Sequence, residues 1–188
     1  VSDELYPAYS RPLISHHLTG DYPVEKILYR SPDFYEANKI RTFLNRTVNK
    51  IDIKQHTVEL KAKGEIMWEK LLLATGGSPI LPKIKGIEKR GVFTFTTIND
   101  AKAIDYFLNR SSSSRAVVIG GGLIGISVTE ALVKRGIEVT IVEMKDRILN
   151  TILDTEASSM EEKAITEAGI KVITGRTVTG ITSGRDTL

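Results

Sequence analysis

The run Ala116-Val117-Val118-Ile119-Gly120-Gly121-Gly122-Leu123-Ile124-Gly125 constrains the fold of this chain more than any other stretch. Four apolar residues in a row read as a buried parallel strand, and Gly120-x-Gly122-x-x-Gly125 supplies the turn after it. Beyond the turn, Ile124, Val128, Ala131 and Leu132 recur at helical spacing on one face, and Gly136 marks the end of that helix. A second apolar strand, Glu138-Val139-Thr140-Ile141-Val142, then leads to Glu143. Strand, glycine turn, helix and strand make a βαβ unit.

Such a unit divides the work among its glycines. One lets the chain turn sharply, one lets a pyrophosphate approach the backbone, and one lets helix and strand pack closely. Free N–H groups and the positive dipole end at the helix start, around Leu123 and Ile124, favour phosphate there. Glu143 comes eighteen residues after Gly125, where an acid can hydrogen-bond both hydroxyls of an adenosine ribose. A carboxylate in that place repels a 2′-phosphate, so NAD(H) is expected over NADP(H). The glycine pattern alone is a weak signal; its strand, helix and acid at the expected spacing make it specific. The competing reading is a flavodoxin-like or other α/β turn with no ligand.

The rest of the chain supports an α/β protein. Residues Tyr9 to Gly20 hold too many turn formers and polar residues for a plain core element. Ser31-Pro32 starts a short helix to about Asn38, and Ile40 to Leu44 reads as a strand. Thr47 to Ile53, a polar turn at Lys54-Gln55-His56, and Thr57 to Leu60 suggest a hairpin; a turn near Lys63-Gly64 leads to Glu65-Ile66-Met67-Trp68-Glu69. Lys70-Leu71-Leu72-Leu73-Ala74 reads as a buried strand running into Thr75-Gly76-Gly77. Val92 to Thr96 looks extended. Thr97 caps a helix to about Asn109, with Asp100 at capping-box spacing and Ala101, Ile104, Phe107 and Leu108 as its stripe. After Glu143, Asp154 caps a helix from Thr155 to Ala168 that buries Ala157, Met160, Ala164 and Ile165, and Ile170 to Ile173 is a third strand. The order β-α-β-α-β is one mononucleotide-binding half.

Composition excludes several functions. With no cysteine in 188 residues, a thiol nucleophile, redox disulfide, iron–sulfur cluster or thiolate zinc site is absent from this sequence. The three histidines, His16, His17 and His56, lack ligand spacing and read as surface or structural residues, so no metal site is expected. A net charge of +3 is too small and dispersed for nucleic acid. Its excess lies in residues 1–97, including Lys83, Lys85, Lys89 and Arg90, a solvated face or a docking surface for an acidic partner. No apolar run nears the ~20 residues that span a bilayer, so no membrane association is expected and the cytoplasm is the expected compartment. The chain opens on Val1 and closes on Asp186-Thr187-Leu188 just after a strand-like Thr177 to Ile181, and reads as a fragment.

Three motifs in order, Tyr9-Ser10-Arg11-Pro12-Leu13, Leu73-Ala74-Thr75-Gly76-Gly77 and the Gly120-to-Glu143 unit, resemble the FAD-dependent pyridine nucleotide-disulfide oxidoreductases. The branch resembled holds ferredoxin and rubredoxin reductases and the flavin module of NADH-dependent nitrite reductase. Asp146-Arg147-Ile148-Leu149 and Asp154-Thr155-Glu156-Ala157 also match that pattern. The resemblance implies a three-layer, Rossmann-like FAD/NAD(P)-binding α/β fold with a small β-meander in its first domain. Residues 1–97 would be a partial FAD-binding domain and residues 98–188 an NAD(H)-binding Rossmann domain truncated at its C-terminal end.

The implied activity is hydride transfer from NADH to FAD, then electron transfer to a protein or haem-type acceptor such as rubredoxin, ferredoxin or a nitrite reductase haem centre. By position, Arg11 and Pro12 would lie beside the FAD, Thr75 and Gly76 would approach it through backbone, and Gly120, Gly122, Leu123, Ile124, Gly125 and Glu143 would hold NADH. Arg11-Pro12-Leu13 occupies the place where thiol-using branches keep a redox cysteine, which favours a carrier over thiol chemistry. Where relatives place Lys and an acid, this chain has His16 and Ser127, so no catalytic residue is assigned. The resemblance also implies an FAD-pyrophosphate turn before Val1 and an aspartate motif and a C-terminal, oligomer-forming domain after Leu188; without them weak FAD binding and no activity are expected. A non-catalytic NADH-binding sensor module is the alternative. A single-domain NAD dehydrogenase fits poorly, because no Tyr-x-x-x-Lys occurs and no histidine follows the dinucleotide unit.

Overall fold

The computed structural model describes residues 1–62 and 64–182; Lys63 of the expected Lys63-Gly64 turn and the closing Asp186-Thr187-Leu188 lie outside the described residues. In chain order the helices are α1 (Ile14–Leu18, entered by a 3-10 turn, Arg11–Leu13), α2 (Val24–Ile27), α3 (Phe34–Ala37), α4 (Ile98–Leu108), α5 (Leu123–Lys134) and α6 (Thr155–Glu167). The strands are β1 (Val48–Asp52), β2 (Thr57–Leu60), β3 (Glu65–Met67), β4 (Arg115–Ile119), β5 (Glu138–Val142) and β6 (Lys171–Ile173).

Two compact units form. The first comprises Val1–Ser10 and Val24–Ser78; the second comprises Arg11–Pro23 and Pro79–Leu188. The expected division at residue 97 concerns cofactor-binding domains; by packing, residues 11–23 and 79–97 join the dinucleotide-type half.

In the first unit β1, β2 and β3 make the expected antiparallel meander, with Ile51 opposite Val58 and Val58 opposite Ile66. Its first turn has a side-chain cause, since Asp52 Oδ1 accepts the N–H groups of Lys54 and Gln55, each at 3.0 Å. Two expected strands are absent. Residues 40–44 join no ladder; the backbone around them instead bonds residues 2–4, from Ser2 N–H to Phe43 O (2.9 Å) and from Asn45 N–H to Glu4 O (2.9 Å). The Leu71-Leu72-Leu73 run is neither a strand nor buried, with Leu72 86% exposed. A parallel strand is buried only when it has neighbours on its edges and faces, and the described residues supply none.

In the second unit β4, β5 and β6 form a parallel sheet in that order, with Val118 opposite Ile141 and Ile141 opposite Val172. This is the expected β-α-β-α-β, and the right-handed crossover rule puts α5 and α6 on one face. Val118, Val139 and Ile141 are buried there. β4 is an edge strand, however, and Val117 on its other face is 63% exposed. The expectation of a fully buried strand is therefore corrected to a half-buried one.

Two further expectations of burial change. Residues Ile14, Ser15 and Leu18 of α1 are buried, so the polar-looking segment from Tyr9 to Gly20 contains a core helix, packed against α4 and α5. Its histidines point elsewhere: His16 stacks on Tyr22 and His17 Nδ1 meets Tyr22 O at 2.9 Å. On α6 the buried residue is Ser158, while Met160 is 69% exposed, Ala164 is exposed and Ala157 and Ile165 are half-buried. The helix is held through one narrow contact line instead of a broad apolar stripe.

The capping box of α4 forms as expected, with the Thr97 hydroxyl accepting Asp100 N–H at 3.1 Å and Asp100 Oδ2 accepting Thr97 N–H at 2.9 Å. Asp100 also accepts Thr96 N–H at 2.8 Å and the Thr94 hydroxyl at 3.0 Å. Partial burial pushes its carboxyl up, but these hydrogen bonds outweigh it and hold the group below the usual carboxylate range. The box therefore contributes fully above the unfolded-state pKa and is lost as pH falls through the lowered folded value. The wild-type chain should lose melting temperature from about pH 5 downward, and Asp100→Asn should flatten that loss.

Candidate functional site

The glycine loop joins β4 to α5, and the three motif glycines occupy three different environments. Gly120 has φ +108, a conformation that side-chain-bearing residues rarely adopt, and its N–H bonds Val142 O at 2.9 Å. A Cβ on Gly125 would lie 2.0 Å from Gly120 O, so helix and strand meet here without room for a side chain. Gly122, the N-cap of α5, has nothing within 4 Å of where a Cβ would stand. Those are the tight turn, the close packing and the open approach expected of the pattern.

The first N–H groups of α5 have no acceptor within the helix and carry its positive dipole end. Leu123 and Ile124 frame this end and are exposed, so the expectation that Ile124 joins the buried face is corrected. It belongs to the first turn, ahead of the stretch that packs on the strands; Val128, Ala131 and Leu132 are buried as expected.

Glu143 is brought to the loop. Its Oε2 accepts Gly121 N–H at 2.7 Å and its Oε1 accepts Lys145 N–H at 2.8 Å. The carboxylate is buried, yet each oxygen retains lone-pair capacity for a hydroxyl donor. Open backbone at Gly122, a helix N-terminus and a fixed carboxylate fit a dinucleotide: phosphate at the first two, ribose hydroxyls at the third.

Other residues singled out by sequence lie apart from this loop. Arg11 and Pro12 are exposed at the 3-10 turn of the second unit, where the Arg11 guanidinium donates to Thr96 O. Thr75 and Gly76 are exposed in an irregular segment of the first unit, with nothing within 4 Å of a Cβ on Gly76. Exposed backbone without side-chain obstruction is compatible with a flavin approaching it. His56 stacks on Trp68 with ring centroids 4.4 Å apart, which suits the structural role expected for it. Among the described residues no cluster of His, Cys, Asp or Glu could hold a metal, and no helix is long and apolar enough to cross a membrane.

Sequence reading missed what lies over the loop. Ile148, fully buried in the connection after β5, would meet a Cβ on Gly121 at 2.7 Å. The signal available was an Ile-Leu pair inside an otherwise polar connection. Ile148→Ala should cost about 3 kcal/mol of stability, read by urea denaturation, because it empties a filled site against the loop.

Known proteins share this architecture. The sequence profile of the pyridine nucleotide-disulphide oxidoreductase family matches residues 2–188. The epsilon subunit of NADH-dependent phenylglyoxylate dehydrogenase from Aromatoleum evansii is 34% identical over 178 residues, 95% of this chain and 42% of its own length. Nitrite reductase [NAD(P)H] from Bacillus subtilis is 33% identical over 168 residues, 89% of this chain and 20% of its own. The solved NAD-dependent persulfide reductase from A. fulgidus superposes with a TM-score of 0.89 at 29% identity, covering 98% of this chain and 36% of that one. The chain thus spans less than half the length of these relatives. It belongs to the pyridine nucleotide-disulphide oxidoreductase family, whose enzymes bind FAD and NAD(P)H.

Proposed function

We propose that this chain is the dinucleotide-binding portion of an NADH-dependent flavoprotein reductase that delivers electrons to a carrier protein or haem-type acceptor. The observation that carries the reading is the glycine loop with the Glu143 carboxylate tied to Gly121 N–H. Phosphate sits against the α5 N-terminus at Gly122, and Glu143 receives the ribose hydroxyls. A 2′-phosphate would meet that carboxylate, so NADH is preferred over NADPH. By the family pattern, Arg11 and Pro12 would contact the FAD through one segment and Thr75 and Gly76 through the backbone of another. When bound, FAD supplies the hydride-accepting chemistry; the protein residues supply position and charge. Arg11-Pro12-Leu13, in the place where thiol-using branches keep a redox cysteine, favours a carrier over a thiol acceptor, and the match to nitrite reductase is consistent with it. The cytoplasm remains the proposed compartment.

The deciding experiment is an anaerobic visible spectrum of the whole protein, its complete FAD domain included, before and after one equivalent of NADH. Flavin bands that bleach are expected. A colourless protein that still binds NADH would replace the reductase with a sensor module.

A further inference from the structure

Gly121, the middle glycine that the motif leaves unspecified, is held on three sides. Its N–H donates to Glu143 Oε2 at 2.7 Å, and its carbonyl accepts Leu149 N–H at 2.8 Å. Its Cα faces Ile148, whose Cγ2 would stand 2.7 Å from a Cβ placed there. Leu149 is a non-glycine residue at φ +52, which persists only where the surroundings hold it. They do so from both directions. The Leu149 carbonyl accepts the N–H groups of Ile152 and Leu153, each at 3.0 Å, and the Ile148 carbonyl accepts the hydroxyl of Ser158 on α6. Ile148 and Ser158 are both fully buried.

These contacts form one physical chain from α6 to the phosphate-binding loop. The buried hydroxyl fixes the strap of residues 145–153, and the strap fixes Gly121 through its amide oxygen and its Cα. Anion-binding amides work only when held in place beforehand, since each fraction of an ångström of freedom is lost affinity. We propose that Ser158, Ile148 and Leu149 are positioning residues for the dinucleotide phosphates, acting through Gly121 without touching the ligand. The proposal rests on the dinucleotide reading of the glycine loop. It also gives a role to the polar residue at the most buried position of α6.

Ser158→Ala tests it in the intact protein, with NADH as the probe, well below both melting midpoints. Kd for NADH should rise about three- to tenfold, the loss of one hydrogen bond's worth of loop order. Amide hydrogen exchange at residues 120–125 should quicken while exchange at residues 128–134 of α5 stays unchanged. A lower melting temperature with Kd and loop exchange unmoved would overturn the proposal and leave Ser158 a packing residue.

If Ser158→Ala fails to fold, Gly121→Ala replaces it. The new methyl should displace the strap and weaken NADH, and Ile148→Ala in the same chain should restore part of the affinity by removing the clashing Cγ2. No restoration counts against the strap. A wild-type protein that binds no NADH would defeat the dinucleotide reading, whereas the exchange comparison would still decide whether Ser158 orders the loop.

Discussion

Gly125→Ala should cost the second unit about 3 kcal/mol or more, whereas Gly122→Ala, three residues earlier, should fold normally and lose NADH. The added methyl at Gly125 meets Gly120 O at 2.0 Å and its carbonyl carbon at 3.1 Å. Both are backbone atoms, which cannot rotate away as a side chain would, so α5 must lift from β4 or the turn must open. Overpacking by one methyl commonly costs about 1–3 kcal/mol even against side chains, a large share of the roughly 5–15 kcal/mol that holds a domain together. At Gly122 a methyl enters open space, and alanine for glycine at an N-cap should change stability by no more than about 1 kcal/mol. Its effect is on the ligand. A phosphate pushed from the helix N-terminus forfeits charge-assisted hydrogen bonds worth about 1.5–3 kcal/mol, roughly ten- to a hundredfold in Kd. Urea melts and NADH titrations of the two variants separate these outcomes. Wild-type melting of Gly125→Ala would contradict the close contact, and wild-type NADH binding by Gly122→Ala would remove the phosphate from this loop.

Glu143→Ala should weaken NADH about tenfold or more, leave NADPH less affected, and lower stability as well. The stability effect comes from the second duty of the carboxylate, which accepts N–H groups from Gly121 and Lys145. Each amide left unpaired in a buried place costs about 1–3 kcal/mol. Glu143→Gln separates the duties. It keeps the size and one strong acceptor but removes the charge, so the preference for NADH over NADPH should shrink while the melting temperature falls less than in Glu143→Ala. An NADH-to-NADPH ratio unchanged in both variants would reduce Glu143 to a brace for the loop.

The sequence was legible where short-range rules act alone. The capping box at Thr97 and Asp100, the Asp154 cap of α6, the meander from Val48 to Met67 and the three parallel strands all formed as read. Periodicity misled where burial depends on neighbours. Leu71 to Leu73 has the pattern of a buried strand, but pattern reports only that burial would be favourable, and no described element covers it. The segment from Tyr9 to Gly20 erred in the opposite direction: two histidines, two serines and a proline hid the Ile14 and Leu18 pair that α4 and α5 enclose.

At the loop, spacing along the chain determined the three glycines and their separate duties, because a turn, a close approach and an open approach are demands of local backbone geometry. It likewise placed Glu143 at the end of β5, since strand length and helix length fix that distance. Tertiary structure alone decided that Glu143 binds the loop amide, that Ile148 covers Gly121 and that Ser158 is buried on α6. Those contacts join segments 22, 27 and 10 residues apart through a connection with no regular period, so no repeat in the sequence reports them. They follow only once the parallel sheet has brought the end of β5 beside the start of α5.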